Sequence, residues 1–132
     1  MKQIDKIAWI ELKNKSILST KSFGKDVYYL PGGKRDEGET DEQTLVREIF
    51  EELKVKIIET SIRFFGIYEA QAHGQEEGVL VKMTCYTADY SGKIEASAEI
   101  EEVNWLKYAD NDKISEVDKL IFNDLKEKYL LD

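Results

Sequence analysis

Three carboxylates, Glu48, Glu51 and Glu52, fall within five consecutive positions of the segment "REIFEEL". On a helix turning by 100° per residue they cover an arc of roughly 100° on one side. Like charges that close repel, so either water solvates them as a charged face or a cation sits among them. Hard oxygen donors on a rigid element suit Mg2+ or Mn2+, with water and substrate phosphates completing the coordination. Alone, such a run is more often a solvated face. The residues in front of it extend the pattern. Gly32-Gly33 can bring backbone close to a ligand because no side chain intervenes. Lys34 and Arg35 are placed to face phosphate oxygens, and Arg47 can form a bidentate pair with Glu39 across the loop.

These residues need a helix with an anchored back. Leu45, Val46, Ile49, Phe50 and Leu53 fall opposite the carboxylates and predict packing against a sheet. Thr40 with Gln43 fits a capping box, and Asp41 and Glu42 suit the positive first turn, so the helix is expected from about Thr40 to Leu53. Before it, "DKIAWIEL" and "KSILST" flank Asn14-Lys15 and read as strands joined by a short turn. "DVYYL" reads as another strand, ended by Pro31-Gly32-Gly33. After it, "SIRFFGIYEA" and "GVLVKMTCYTADY" read as strands around the polar loop "QAHGQEE". "SGKIEASAEIEE" reads as a polar connection and "VNWLKY" as a last strand. Ser115 and Asp118 can cap a final helix whose apolar side is Val117, Leu120, Ile121 and Phe122. Mixed strands with two helices predict an α/β layered domain, with a helix on each side of the sheet.

With 132 residues the chain is expected to form a single domain, spanning 1–132. The net charge of −8 argues against a broad basic surface for extended nucleic acid. It leaves room for a phosphorylated small molecule, since a divalent cation inverts the local potential. Cys85 is the one cysteine and sits in a strand pattern, where a buried thiol is expected rather than a nucleophile. No apolar run reads as a signal peptide or membrane span, so a cytoplasmic location is the expectation. Exposed strands or the last helix leave a homodimer open.

The segment from Gly33 to Val55 resembles the Nudix box, G-x5-E-x7-R-E-U-x-E-E-x-G-U, with U a bulky aliphatic residue. Gly33 and Glu39 match its first Gly and Glu, Arg47-Glu48-Ile49-Phe50-Glu51-Glu52 its central run, and Val55 its last U. The final Gly is replaced by Lys54, where a left-handed residue usually stops the helix. The resemblance implies the Nudix-type α/β/α sandwich and hydrolysis of a nucleoside diphosphate linked to another group, with Mg2+ or Mn2+. It implies Glu51 and Glu52 as main metal ligands, the Gly32 carbonyl as a further one, and Glu48 as ligand or water-activating base. It also implies that Arg47 and Glu39 are structural and orient the carboxylates. An acid from outside the box is expected at Glu99 or Glu102, with Glu76 and Glu77 as second choice.

The remaining conspicuous residues carry weaker signals. His73 reads as a solvated loop residue. Trp9 and Trp105 read as core, whereas Phe23, in the loop "KSFGKD", is the better candidate for a ligand edge. Tyr28 and Tyr29 should face opposite ways. Asn104 and Asn111 could read a purine edge, although Asn111 lies in ordinary turn composition. The downstream proline of ADP-ribose hydrolases is absent, since Pro31 is the only proline. Tyr68 sits too near the box for the dinucleoside-polyphosphate pattern. The chain resembles MutT-like members most, which implies a nucleoside triphosphate or oxidised nucleotide as small-molecule substrate. The alternative is a non-catalytic Nudix-fold sensor of a nucleotide sugar.

Overall fold

The computed structural model describes residues 2–132. Strand β1 (Gln3–Trp9) lies at the centre of a four-stranded sheet with β4 (Gly32–Gly33), β7 (Leu80–Thr87) and β6 (Arg63–Gln71), in the order β4-β1-β7-β6. β1 runs parallel to β7, while the β1–β4 and β6–β7 pairs are antiparallel, so the sheet is mixed. A second sheet, β2-β3-β9, joins β2 (Leu12–Lys13), β3 (Ser16–Ser22) and β9 (Ile100–Leu106). A short pair, β5 (Lys56–Ile57) with β8 (Tyr90–Ser91), follows the first helix.

The turn at Asn14-Lys15 is present, with both residues at positive φ, 51° and 57°. Two left-handed residues in succession match the right-handed twist of a tight hairpin. The hairpin it closes is β2–β3, however, and β1 ends before it, so the expected single long strand divides between two sheets. "DVYYL" forms no continuous strand. Tyr29 bridges Thr20 and Tyr28 bridges Ile114, so successive residues pair in different directions. β9 begins at Ile100, earlier than expected, because residues up to Ser22 continue to pair with it.

Helix α1 (Asp41–Leu53) starts at Thr40, whose side chain accepts from the Gln43 N–H while the Gln43 side chain accepts from the Thr40 N–H. The second helix, α2 (Glu116–Glu127), follows Ser115. Each covers one side of the central sheet. Alternation along β1 sends Ile7 and Trp9 into a core with Leu45, Ile49 and Leu53 of α1. Ala8 joins the opposite core, with Val117, Ile121, Phe122 and Leu125 of α2. Leu120, expected on that apolar side, is 42% exposed. Phe50, expected against the sheet, is 51% exposed, and Lys54 Nζ lies 5.3 Å from its ring centroid. The buried stripe runs Leu45, Ile49, Leu53, and one 100° step from Ile49 carries Phe50 past its edge. Trp9 and Cys85 are fully buried, as their strand patterns predict. No helix among the described residues is long and apolar enough to cross a membrane.

Candidate active site

α1 holds the acidic residues, and Arg47 organises them. Its Nε and Nη2 donate to Glu39 Oε2 and Oε1 at 2.7 and 2.9 Å, the bidentate pair expected across the loop. Nη1 donates to Glu48 Oε1 at 2.6 Å and lies 3.3 Å from Glu51 Oε1. Nη2 also donates to the Lys34 carbonyl at 3.0 Å. One guanidinium thus ties the loop before α1 to its acidic side. Hydrogen bonds from Arg47 and the Asp36 N–H hold the Glu39 carboxyl down at about 2. Its carboxylate partners, Glu39 first and then Glu48 and Glu51, raise Arg47 above its ordinary value.

Glu52 stands apart from the other two. It is buried, and its Oε1 accepts the Gly32 N–H at 3.0 Å. Burial first, with the neighbouring charges of Glu99 and Glu48, pushes its carboxyl up to about 8 against the Gly32 bond. Glu48 is also raised, by burial first and by Glu51 and Glu99 next, with Arg47 opposing. The result is a patch where negative charge is poorly compensated. Two glycines let the backbone approach it. At Gly32, φ is 146° and an added Cβ would lie 2.0 Å from the Ile7 carbonyl oxygen. At Gly33 a Cβ would meet Glu48 Oε2 at 2.3 Å.

The Glu99 segment reaches the patch by way of the helix end. The α1 carbonyls of Glu52 and Leu53 accept N–H groups from Ser97 and Glu95, each at 2.9 Å. These bonds occupy carbonyls that a helix leaves unpaired and lay the 95–99 segment against α1. Glu99 then faces Glu52, and its carbonyl accepts the Phe23 N–H at 2.9 Å, so Phe23, 64% exposed, lies on the same rim. Glu102 is held elsewhere, accepting the Tyr28 hydroxyl at 2.7 Å beside Lys21. Glu76 and Glu77 sit exposed in the β6–β7 loop. Lys34 is exposed beside the glycines. Arg35, expected to face phosphate, is instead paired with Asp41 at 2.6 Å and Asp5 at 3.0 Å, which ties α1 to β1. Asn111 caps its own turn by donating to the Tyr108 carbonyl, and Asn104 accepts the N–H of Trp105.

Beside the carboxylates a cavity of about 200 Å³ opens between β1, the 22–30 loop and the β6–β7 loop. Gly32, Gly33 and Glu52 form one end of its wall, and Lys6 and Tyr29 lie along it. His73 stands at the mouth, its Nε2 2.9 Å from Asp26 Oδ1 and its ring edge-on to Tyr29. The loop histidine is therefore part of the cavity wall rather than merely solvated. Lys6 carries no motif; its signal lay in pattern alone, at an inward position of β1 between Ile4 and Ala8. Asp118, expected to cap α2 with Ser115, instead turns inward and accepts the Leu30 N–H, and Ser115 makes no side-chain cap bond.

The NUDIX domain model matches residues 4–125. The chain belongs to the Nudix family. As a Nudix pyrophosphohydrolase it shares its fold with several solved structures. The MutT protein of Methanosarcina mazei Go1 superposes with a TM-score of 0.76 at 14% identity, covering 97% of this chain and 96% of that one. The MutT NUDIX hydrolase of Burkholderia pseudomallei gives 0.74 at 19%, covering 93% and 98%. The E. coli ORF135 protein gives 0.73 at 20%, covering 96% and 92%. No curated protein matches the sequence. Against the Nudix box, Lys54 keeps the left-handed conformation that the usual glycine would take, with φ 61° and ψ 20°, and its N–H closes on the Phe50 carbonyl at 3.0 Å. The turn is left-handed in shape and strained in residue type.

The donor set of this Nudix domain fits a hard divalent cation. Glu48, Glu51 and Glu52 are oxygen donors on one rigid helix, and the carboxyls of Glu48 and Glu52 are raised by burial first and by neighbouring carboxylates next, both of which a cation would offset. Among the described residues no three acidic, histidine or cysteine side chains already converge as a cage. Glu48 is held by Arg47 and Glu52 by the Gly32 N–H, each through Oε1, which leaves the second oxygen of each carboxylate outside these bonds.

Proposed function

We propose that this domain hydrolyses the pyrophosphate bond of a nucleoside triphosphate or an oxidised nucleotide, with Mg2+ or Mn2+. The observation that carries the reading is a shared wall: Gly32, Gly33 and Glu52 belong both to the acidic patch and to the adjoining cavity. A diphosphate over the patch would place its organic group in the cavity. Glu51 and Glu52 are the proposed main ligands, joined by the Gly32 carbonyl, with Glu48 as ligand or base and Glu99 as the acid from outside the box. When bound, the cation neutralises diphosphate charge and lowers the pKa of the attacking water. Arg47 fixes the position of Glu48, while Gly33 leaves room for its carboxylate. Lys34 offers a cation to the leaving phosphate oxygens, and Phe23 an apolar edge to the organic group.

The test is a phosphate- and pyrophosphate-release screen over nucleoside triphosphates, oxidised nucleotides, nucleotide sugars and dinucleoside polyphosphates. Turnover should require Mg2+ or Mn2+ and fall by at least about a hundredfold in Glu52→Gln. That variant should melt no lower than wild type, since a neutral amide replaces a poorly compensated buried acid. Stoichiometric binding of a nucleotide sugar without turnover would sink the hydrolytic reading in favour of a sensor.

A further inference from the structure

The cavity wall carries two lysines, Lys6 and Lys25, against one carboxylate, although the chain as a whole carries a net charge of −8. Glu52 is the one carboxylate in its wall, at the end next to the acidic patch, and it already accepts the Gly32 N–H. Lys6 projects from the inward face of β1, the face that Ala8 shares. Among the described residues its ammonium makes no hydrogen bond or ion pair, and its nearest aromatic neighbour is Tyr29, 5.6 Å away at the ring centroid. Burial lowers its pKa, and Asp118 behind the wall opposes this from a distance without pairing. Two of the acceptors nearby are already engaged: the Gln71 side-chain oxygen takes the Gly78 N–H, and the Tyr29 carbonyl takes the Thr20 N–H. The ammonium is not among the buried polar atoms that lack a partner, so it stays open to the cavity and can donate to acceptors that a ligand brings.

We propose that Lys6 determines specificity by binding an acceptor oxygen on the organic group of the substrate. This selects bases that carry an oxo group, of which guanine and uracil are the probes, over adenine, which carries none. The inference rests on the hydrolytic reading for where the diphosphate lies, and on the cavity alone for what lies beyond it. Guanine offers O6 with N7, and uracil its carbonyl oxygens, whereas adenine sets an amino donor beside N7, which a lysine cannot match.

Two measurements test it. In steady-state kinetics, wild type should prefer guanine and uracil triphosphates over the adenine triphosphate by at least about tenfold in kcat/KM. Lys6→Met should erase the preference through KM and leave kcat within about twofold. In metal-free calorimetry, the guanine and uracil monophosphates should bind wild type more tightly than the adenine one, and Lys6→Met should bind all three alike. Lys6→Gln, which offers both a donor and an acceptor, should move the preference toward adenine and covers the case in which the Met variant fails to fold. Hydrolysis without base preference, or a preference that survives both substitutions, overturns the assignment of Lys6 and leaves the hydrolytic reading standing. Lys6-dependent binding preference without any hydrolysis does the reverse.

Discussion

At the scale of single residues, Arg47 does most to turn separate carboxylates into one surface. It contacts Glu39, Glu48, Glu51 and the Lys34 carbonyl together. A lysine supplies one compact ammonium and cannot span these positions. Arg47→Lys should therefore lower kcat/KM by about 10–100-fold, as losses of ligand-orienting partners do, and lower the melting temperature. It should also change acid behaviour. Glu39, held down at about 2, contributes stability that is present above its ordinary range and lost as pH falls toward 2. Without the guanidinium that loss should be smaller and should level off at a higher pH. Melting curves between pH 2 and 6 would check this, and coincident acid limbs would contradict it. Glu39, Arg47, Glu48, Glu51 and Glu52 were all legible from spacing. Lys6 was not, because a lone lysine in a strand reads as surface until the face it occupies is known.

At the scale of elements, α1 is specified twice, by its capping box at Thr40 and by the Leu45, Ile49, Leu53 stripe. Its end shows a conflict. Lys54 adopts φ 61°, a conformation that costs an L-residue roughly 1–2 kcal/mol. Lys54→Gly should relieve this strain and stabilise the fold by about 0.5–1 kcal/mol once the larger unfolded-state entropy of glycine is subtracted. Chemical denaturation should show the midpoint rising at constant slope. No gain would mean that the Lys54 contact with the Phe50 ring offsets the strain. Elsewhere, element boundaries followed local signals where the partner was also local, as at β6–β7. They shifted where the partner was distant: β3 extends to Ser22 because β9 pairs with it across the chain.

At the scale of the whole molecule, Asp118 fastens α2 to the loop that leads into the glycines. Its Oδ2 accepts the Leu30 N–H at 3.0 Å, while Oδ1 has no partner. Burial pushes its carboxyl up to about 7, against the Leu30 bond and Lys6. The folded state therefore holds a proton that the unfolded chain has released from about pH 4 upward. Stability from this group is full below pH 4, falls as pH rises, and levels off above 7. Asp118→Asn keeps an acceptor for Leu30 and removes the titration. Its melting temperature should match wild type at pH 4 and exceed it increasingly up to pH 8, and parallel curves would rule the account out.

The sequence by itself determined the acidic helix, its cap, its Arg47–Glu39 clamp and the two-helix layered class. Each of these is a relation between residues close in the chain, where helical or strand periodicity converts spacing into geometry. Only the tertiary structure decided that Arg35 pairs with Asp5 and Asp41, that Glu99 rather than Glu102 faces Glu52, and that Lys6 lies unpaired in a cavity beside the carboxylates. Those outcomes depend on which strands become neighbours and which face of each is covered, and periodicity fixes a face without naming what it will meet.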